Sequence, residues 1–171
     1  MFRKALAALF SGIIITLSLS PLASADEGGD AVPMADVYYT QYSVINKSTV
    51  STNWTNRSQI IGSCKVSRSG TSCTISSGTT ATVTVATSLG ASKALVSGSL
   101  GLSAGKSITV NTSCTSPNLS AGETFRAAAV GTRYQYKVRK VTRMDGRVVT
   151  DQTSGWLYAF KPNSSRIHCG V

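Results

Sequence analysis

Over most of this chain apolar positions alternate with Ser and Thr at the period of a strand. From Thr79 to Leu89, Ala81, Val83, Val85 and Leu89 alternate with Thr80, Thr82, Thr84 and Ser88, as a half-buried strand requires. From Val96 the apolar parity passes through Gly98, Leu100, Leu102 and Ala104, and resumes at Ile108 and Val110. The word Ser88-Leu89-Gly90-Ala91-Ser92 returns as Ser99-Leu100-Gly101-Leu102-Ser103, so the block is read as two arms of one hairpin with Lys93 near its tip. Val37–Thr52 is strand-like, with aromatic or aliphatic residues at both parities. Ser116-Pro117-Asn118 marks a turn, and Phe125–Val130 an apolar strand. Arg133–Met144 and Arg147–Phe160 flank Asp145-Gly146, the strongest short hairpin signal in the chain. Counting outward from that turn pairs Met144 with Arg147, Val141 with Thr150, Lys140 with Asp151 and Tyr136 with Gly155. Ala127-Ala128-Ala129 is too short to stand as a helix alone, and no helix is expected.

Composition agrees with the pattern. Ser and Thr supply 46 of the 171 residues and Gly another 15, which favours strands and turns. The expected fold class is all-β: an antiparallel sandwich or an elongated, aerolysin-like strand module. The ends divide differently. Arg3 and Lys4, the apolar run Ala5–Leu19, Pro21 and the small-x-small site Ala23-Ser24-Ala25 form a secretory signal over residues 1–25. Residues 26–36, with Asp-Glu-Gly-Gly-Asp, are expected to form a flexible acidic tail, and residues 37–171 one β-rich domain. No later run approaches the ~18 apolar residues of a membrane-spanning helix, so the protein is expected to be secreted and released.

Export changes the meaning of the cysteines. Four of them in an exported chain favour two disulfides, with three possible pairings. Cys64–Cys73 is preferred, because Arg68-Ser69-Gly70 can turn the chain between them; Cys114–Cys169 then follows. A loop as long as the second would contribute roughly 4 kcal/mol in the chain-entropy model. Zinc lacks a CxxC or HxxxH spacing, and the chain has a single histidine, His168; no cofactor is expected.

Charge is the sharper signal. Seventeen Lys and Arg face seven Asp and Glu, a net charge of +10. Four of the acids, Asp26, Glu27, Asp30 and Asp36, lie in the tail. From Val37 to Gly122 there is none, which removes most carboxylate chemistry and hard-cation sites. Glu123 belongs to a turn, Asp145 to the hairpin and Asp151 to a cross-strand pair, so none is left to serve His168 as a catalytic partner. No enzyme is expected. On Arg133–Arg143 the odd positions Arg133, Lys137, Arg139 and Arg143 point one way, while Tyr134, Tyr136 and Val138 point the other. With Arg147 they form a basic ridge suited to an acidic protein or an anionic surface. The same charges would also blunt a sheet edge against aggregation. Export and the lack of a nucleic-acid motif disfavour nucleic acid as the partner.

Several words carry a resemblance: Ser72-Cys73-Thr74-Ile75-Ser76, Cys114-Thr115-Ser116-Pro117, Leu119–Ala127, Gly131-Thr132-Arg133-Tyr134 and Ser154–Phe160. Over roughly residues 60–170 they resemble a group of small secreted proteins of actinobacteria, of the Streptomyces type, a resemblance that implies export and no particular activity. More distantly, Ser/Thr-rich strands around a short hairpin, followed by a Leu-x-x-Gly-x-x-Phe-Arg strand, resemble the module of aerolysin and epsilon-toxin-type pore formers. That resemblance names no functional residue; it is the alternation of Val and Leu with Ser and Thr that can line a membrane β-barrel after oligomerisation, on a hairpin carrying Val83, Val85, Leu89, Val96, Leu100 and Leu102. At 171 residues the chain leaves no room for the large receptor-binding domain of such toxins. The leading expectation is a secreted, non-enzymatic binding or adaptor protein engaging an acidic partner or anionic surface. A membrane-active β-toxin and a structural subunit of a larger secreted toxin assembly are the alternatives.

Overall fold

The structure, a computed structural model, describes residues 37–171; the expected signal segment and acidic tail lie outside them. The elements are β1 (Tyr38–Lys65), β2 (Thr74–Ile75), β3 (Thr79–Thr82), β4 (Thr84–Val85), α1 (Lys93–Leu100), β5 (Ser107–Val110), β6 (Cys114–Thr115), β7 (Thr124–Met144), β8 (Arg147–Thr153) and β9 (Leu157–Gly170). The sheets are antiparallel and the disulfides are Cys64–Cys73 and Cys114–Cys169, as expected.

β7 is the spine. β1 pairs along one of its edges, β9 and then β8 along the other, and β4 extends the sheet beyond β9. At about 3.3 Å per residue, its 21 residues span on the order of 65 Å. β1 is longer, with 28 residues, and five register shifts between Ile45 and Gly62 absorb the surplus. Asn46 sits in the first of them with φ of 54°, a left-handed conformation that Asn tolerates better than most residues.

Above the last shift the strand pairs keep one register, from which the single bridge Thr71–Leu119 departs by one residue. Gly62 pairs with Ala127, Lys65 with Thr124, Thr74 with Thr115, Thr79 with Val110 and Thr82 with Ser107, partner numbers that all add to 189. Residues 62–127 therefore form one long hairpin arm continuous with β1 and β7, folded back on the sheet and interrupted by turns. Gly70 (φ 79°) and Gly122 (φ 88°) lie at the fold-back, which brings Cys73 to a Cα distance of 6.3 Å from Cys64. The turn at Arg68–Gly70 does what the cysteine spacing led us to expect.

The fold-back covers the sheet unevenly. Along the lower half of β7, Phe125 and Ala127 pack with Val66, Cys73, Ile75 and Leu119 against both disulfides, and Ala129 packs with Ala81, Val110 and Phe160. Along the upper half, Tyr136 and Val138 pack with Val85, Ala91, Val96 and Ala159. The first set has odd numbers on β7 and the second even, so they lie on opposite faces. The consecutive residues Ala159 and Phe160 show this directly: both are buried, one in each cluster. The arm thus covers the front of the lower half, crosses the sheet edge as β4, and covers the back of the upper half with α1. The Tyr136 hydroxyl locks that crossing by donating to the Ala86 carbonyl at 2.5 Å. Burial of the ring pushes its pKa up to about 12.

Three expectations are corrected. The arms expected around Lys93 are not strands there. Residues 93–100 form a helix, capped by the Ser92 hydroxyl accepting from the Leu95 N–H and ended by Gly101 in the left-handed region. Ser97, Gly98 and Ser99 are weak helix formers, so packing of fully buried Val96, rather than propensity, holds it. Of the six residues assigned to a membrane hairpin, Val83 is buried at the end of the β3–β5 arm, Val85 joins the main sheet, and Leu89 lies in a turn. Val96 and Leu100 lie on α1, and Leu102 packs beside it.

Next, the Asp145-Gly146 turn pairs Met144 with Arg147 as expected, but a bulge between Thr142 and Arg143 moves everything beyond by one residue. Val141 faces Asp151, Lys140 faces Gln152, and Tyr136 faces Leu157 on β9 rather than Gly155. Finally, Arg147–Phe160 is two strands. Ser154 ends β8, its hydroxyl accepting from the Val138 N–H at 2.9 Å while its own N–H donates to the Val138 carbonyl at 2.8 Å.

Candidate functional site: the front of the upper sheet

Because the arm crosses to the back, no other described residue covers the front of the upper sheet. β7 presents Arg133, Gln135, Lys137, Arg139, Val141 and Arg143 there, and strand pairing brings β1, β8 and β9 alongside. The basic ridge thus stands in mid-sheet on a strand paired on both sides. It cannot serve to blunt an edge.

Its cations are not alike. The Arg133 guanidinium lies between two rings, 4.1 Å from the centre of Trp54 and 3.9 Å from that of Tyr158. Lys137 Nζ sits 4.7 Å over Trp156. Contacts of this kind contribute about 0.5–1 kcal/mol each at exposed positions. Arg139 is spoken for: its Nε donates to Asp151 at 2.8 Å and its second amino group at 2.5 Å. Those hydrogen bonds hold the Asp151 carboxyl below its ordinary range and raise the pKa of Arg139. Cross-strand geometry explains the choice of partner, since Asp151 lies opposite Val141, diagonal to Arg139 on the same face. Arg143 donates to Gln41 Oε1 at 3.4 Å. Arg147 pairs with Met144, which has even parity, so it faces the back and leaves the ridge. Among the described residues Arg139–Asp151 is the one ion pair, and Arg133, Lys137 and Arg143 keep their charge on the front.

The aromatic half of this face was not foreseen in the sequence. The chain has two tryptophans, and both are here, 39% and 48% exposed, with Tyr158 at 41%. Large exposed rings gathered on one face are unusual and mark binding surfaces. The alternation Trp156-x-Tyr158 signals one aromatic edge, but Trp54 comes from a Thr/Asn-rich stretch of β1 whose bulges hide its parity. A shallow cleft of about 240 Å³ opens among Trp54, Asn56, Ser58, Arg133 and Tyr158.

Two other features frame the site. On the back of the lower sheet, Arg57, Arg126 and His168 line a cleft of about 300 Å³ with Ile60 and Ala128. A larger cleft of about 710 Å³ runs between α1 and residues 82–85, with Lys93 at its border. Glu123 is engaged, accepting from the Ser120 N–H at 2.7 Å. No family model, curated protein or solved structure matches this chain.

Proposed function

We propose that the protein is a secreted, non-enzymatic binding protein that engages an anionic partner through the front of its upper sheet. One observation carries the reading: Arg133, Lys137 and Arg143 stand in mid-sheet, free of carboxylates among the described residues, and the first two lie against three exposed rings. Charges kept only for solubility or edge protection have no need of such neighbours. Two disulfides fit an extracellular protein, and the net charge of +10 assists encounter with a negative partner.

The test uses Arg133→Glu/Lys137→Glu/Arg143→Glu against Arg68→Glu/Lys93→Glu/Lys106→Glu, which changes the net charge equally at exposed positions elsewhere. Retention on immobilised polyanions is followed as salt rises from 20 to 500 mM. The first variant is expected to lose at least ten-fold in affinity at low salt and most of its salt dependence. Equal losses in the two variants would reduce the binding to bulk charge and overturn the reading.

A further inference from the structure

The front face carries more than charge, and its spacing narrows the ligand. Arg133 holds its guanidinium against two rings, Trp54 and Tyr158, and among the described residues no protein acceptor bonds its N–H groups. The rings restrain it and leave its donors unpaired. Such a fixed fork meets a planar or tetrahedral oxyanion with two parallel N–H groups. Arg133 borders the cleft in which Asn56 and Ser58 supply an amide and a hydroxyl.

Lys137, the next unpaired cation, lies four residues along β7, on the order of 13 Å away. Between them stands Gln135, its amide donating to Ser48 Oγ at 3.0 Å. The face therefore offers widely spaced cations with rings, amides and hydroxyls between them. Single-stranded nucleic acid carries a charge on every unit and is tracked by a continuous basic groove. An acidic peptide brings carboxylates but no flat C–H surface for three rings. A sugar chain with an anion on some of its units satisfies all parts: C–H faces on Trp156 and Tyr158, hydroxyls on the amides, and carboxylate or sulfate on Arg133 and Lys137.

Resting on the anionic-partner reading above, we infer that the front face binds an anionic polysaccharide, with Arg133 taking the acidic group and Trp156 a sugar ring. Since both tryptophans lie on this face, their fluorescence reports occupancy directly. The full chain is titrated with polygalacturonate, dextran sulfate, neutral dextran, poly-glutamate and oligothymidylate. At least one of the two acidic polysaccharides is expected to bind ten-fold or more tightly than the other three, and which one does so distinguishes carboxylate from sulfate. Trp156→Ala is expected to weaken binding at least ten-fold, with partial recovery in Trp156→Phe. Arg133→Lys, which keeps the charge and loses the fork, is expected to weaken it several-fold. Poly-glutamate or oligothymidylate binding as tightly as both acidic polysaccharides, or an unaffected Trp156→Ala, overturns this inference and leaves the anionic face standing. Failure of every polyanion to bind removes both.

Discussion

Gly131 is the most exacting position in the fold, and replacing it with alanine tests whether the sheet is built as described. It sits at the middle of β7, where Trp54 pairs on one side and Pro162 on the other, beside the register shift of β9. A Cβ added there would press on the Lys161 carbonyl oxygen and come within 2.8 Å of Pro162 Cα. Both obstacles are backbone, so no rotamer change relieves them; β9 must move away from β7. Overpacking of this kind costs about 1–3 kcal/mol when side chains can yield, and here they cannot. A loss of about 3 kcal/mol is expected, which for a domain of this size lowers Tm by about 10 °C. Gly155→Ala supplies the control, since nothing lies within 4 Å of its added Cβ and its φ is not positive. Urea denaturation followed by fluorescence gives both stabilities. A Gly131→Ala variant within about 0.5 kcal/mol of the parent would mean that β7 and β9 do not approach as closely as described.

Other outcomes follow from the same geometry. Gly98→Ala fills open space inside α1 and is expected to stabilise the protein by about 0.5–1 kcal/mol; a loss in Cm would show that the segment is not helical. Tyr136→Phe leaves the Ala86 carbonyl without its donor and is expected to cost about 1–2 kcal/mol by the same measurement. The raised pKa of Tyr136 fixes the sign of its pH dependence. Its contribution is complete below pH 10, the unfolded value, and is lost as pH rises towards about 12; the Phe variant lacks that alkaline component in stability curves from pH 8 to 12. Asp151→Asn frees Arg139 and is expected to tighten polyanion binding two- to three-fold at low salt. Because the Asp151 pKa is lowered, the pair is lost only as pH falls through that depressed value, so acidifying the parent from pH 7 to 5 should not reproduce the variant.

What the sequence determined by itself was local. Alternation and Ser/Thr content are enough to expect strands, Asp145-Gly146 to place a hairpin tip, and Arg68–Gly70 to pair Cys64 with Cys73, because each depends on residues close in the chain. Parity along β7 likewise separates Arg133, Lys137, Arg139 and Arg143 from Tyr136 and Val138. The helix was hidden because Val96, Gly98, Leu100 and Leu102 imitate strand alternation, while Tyr136, Val138 and Ala159, among the residues that bury Val96, are distant in the chain. Register beyond a bulge was equally out of reach, since one extra residue on β8, Val149 between the partners of Arg143 and Thr142, exchanges every partner that follows.

The character of the basic ridge was decided by the tertiary structure alone. Whether a strand is central or at an edge depends on partners up to a hundred residues away. Which of its faces is covered depends on where the fold-back arm crosses the sheet. Among the described residues, that crossing leaves the front of the upper sheet open. Pairing with β1 and β9 then carries Trp54 and Tyr158 to Arg133, and the segment leading into β9 carries Trp156 to Lys137, turning a line of charges into a surface of stacked rings and cations.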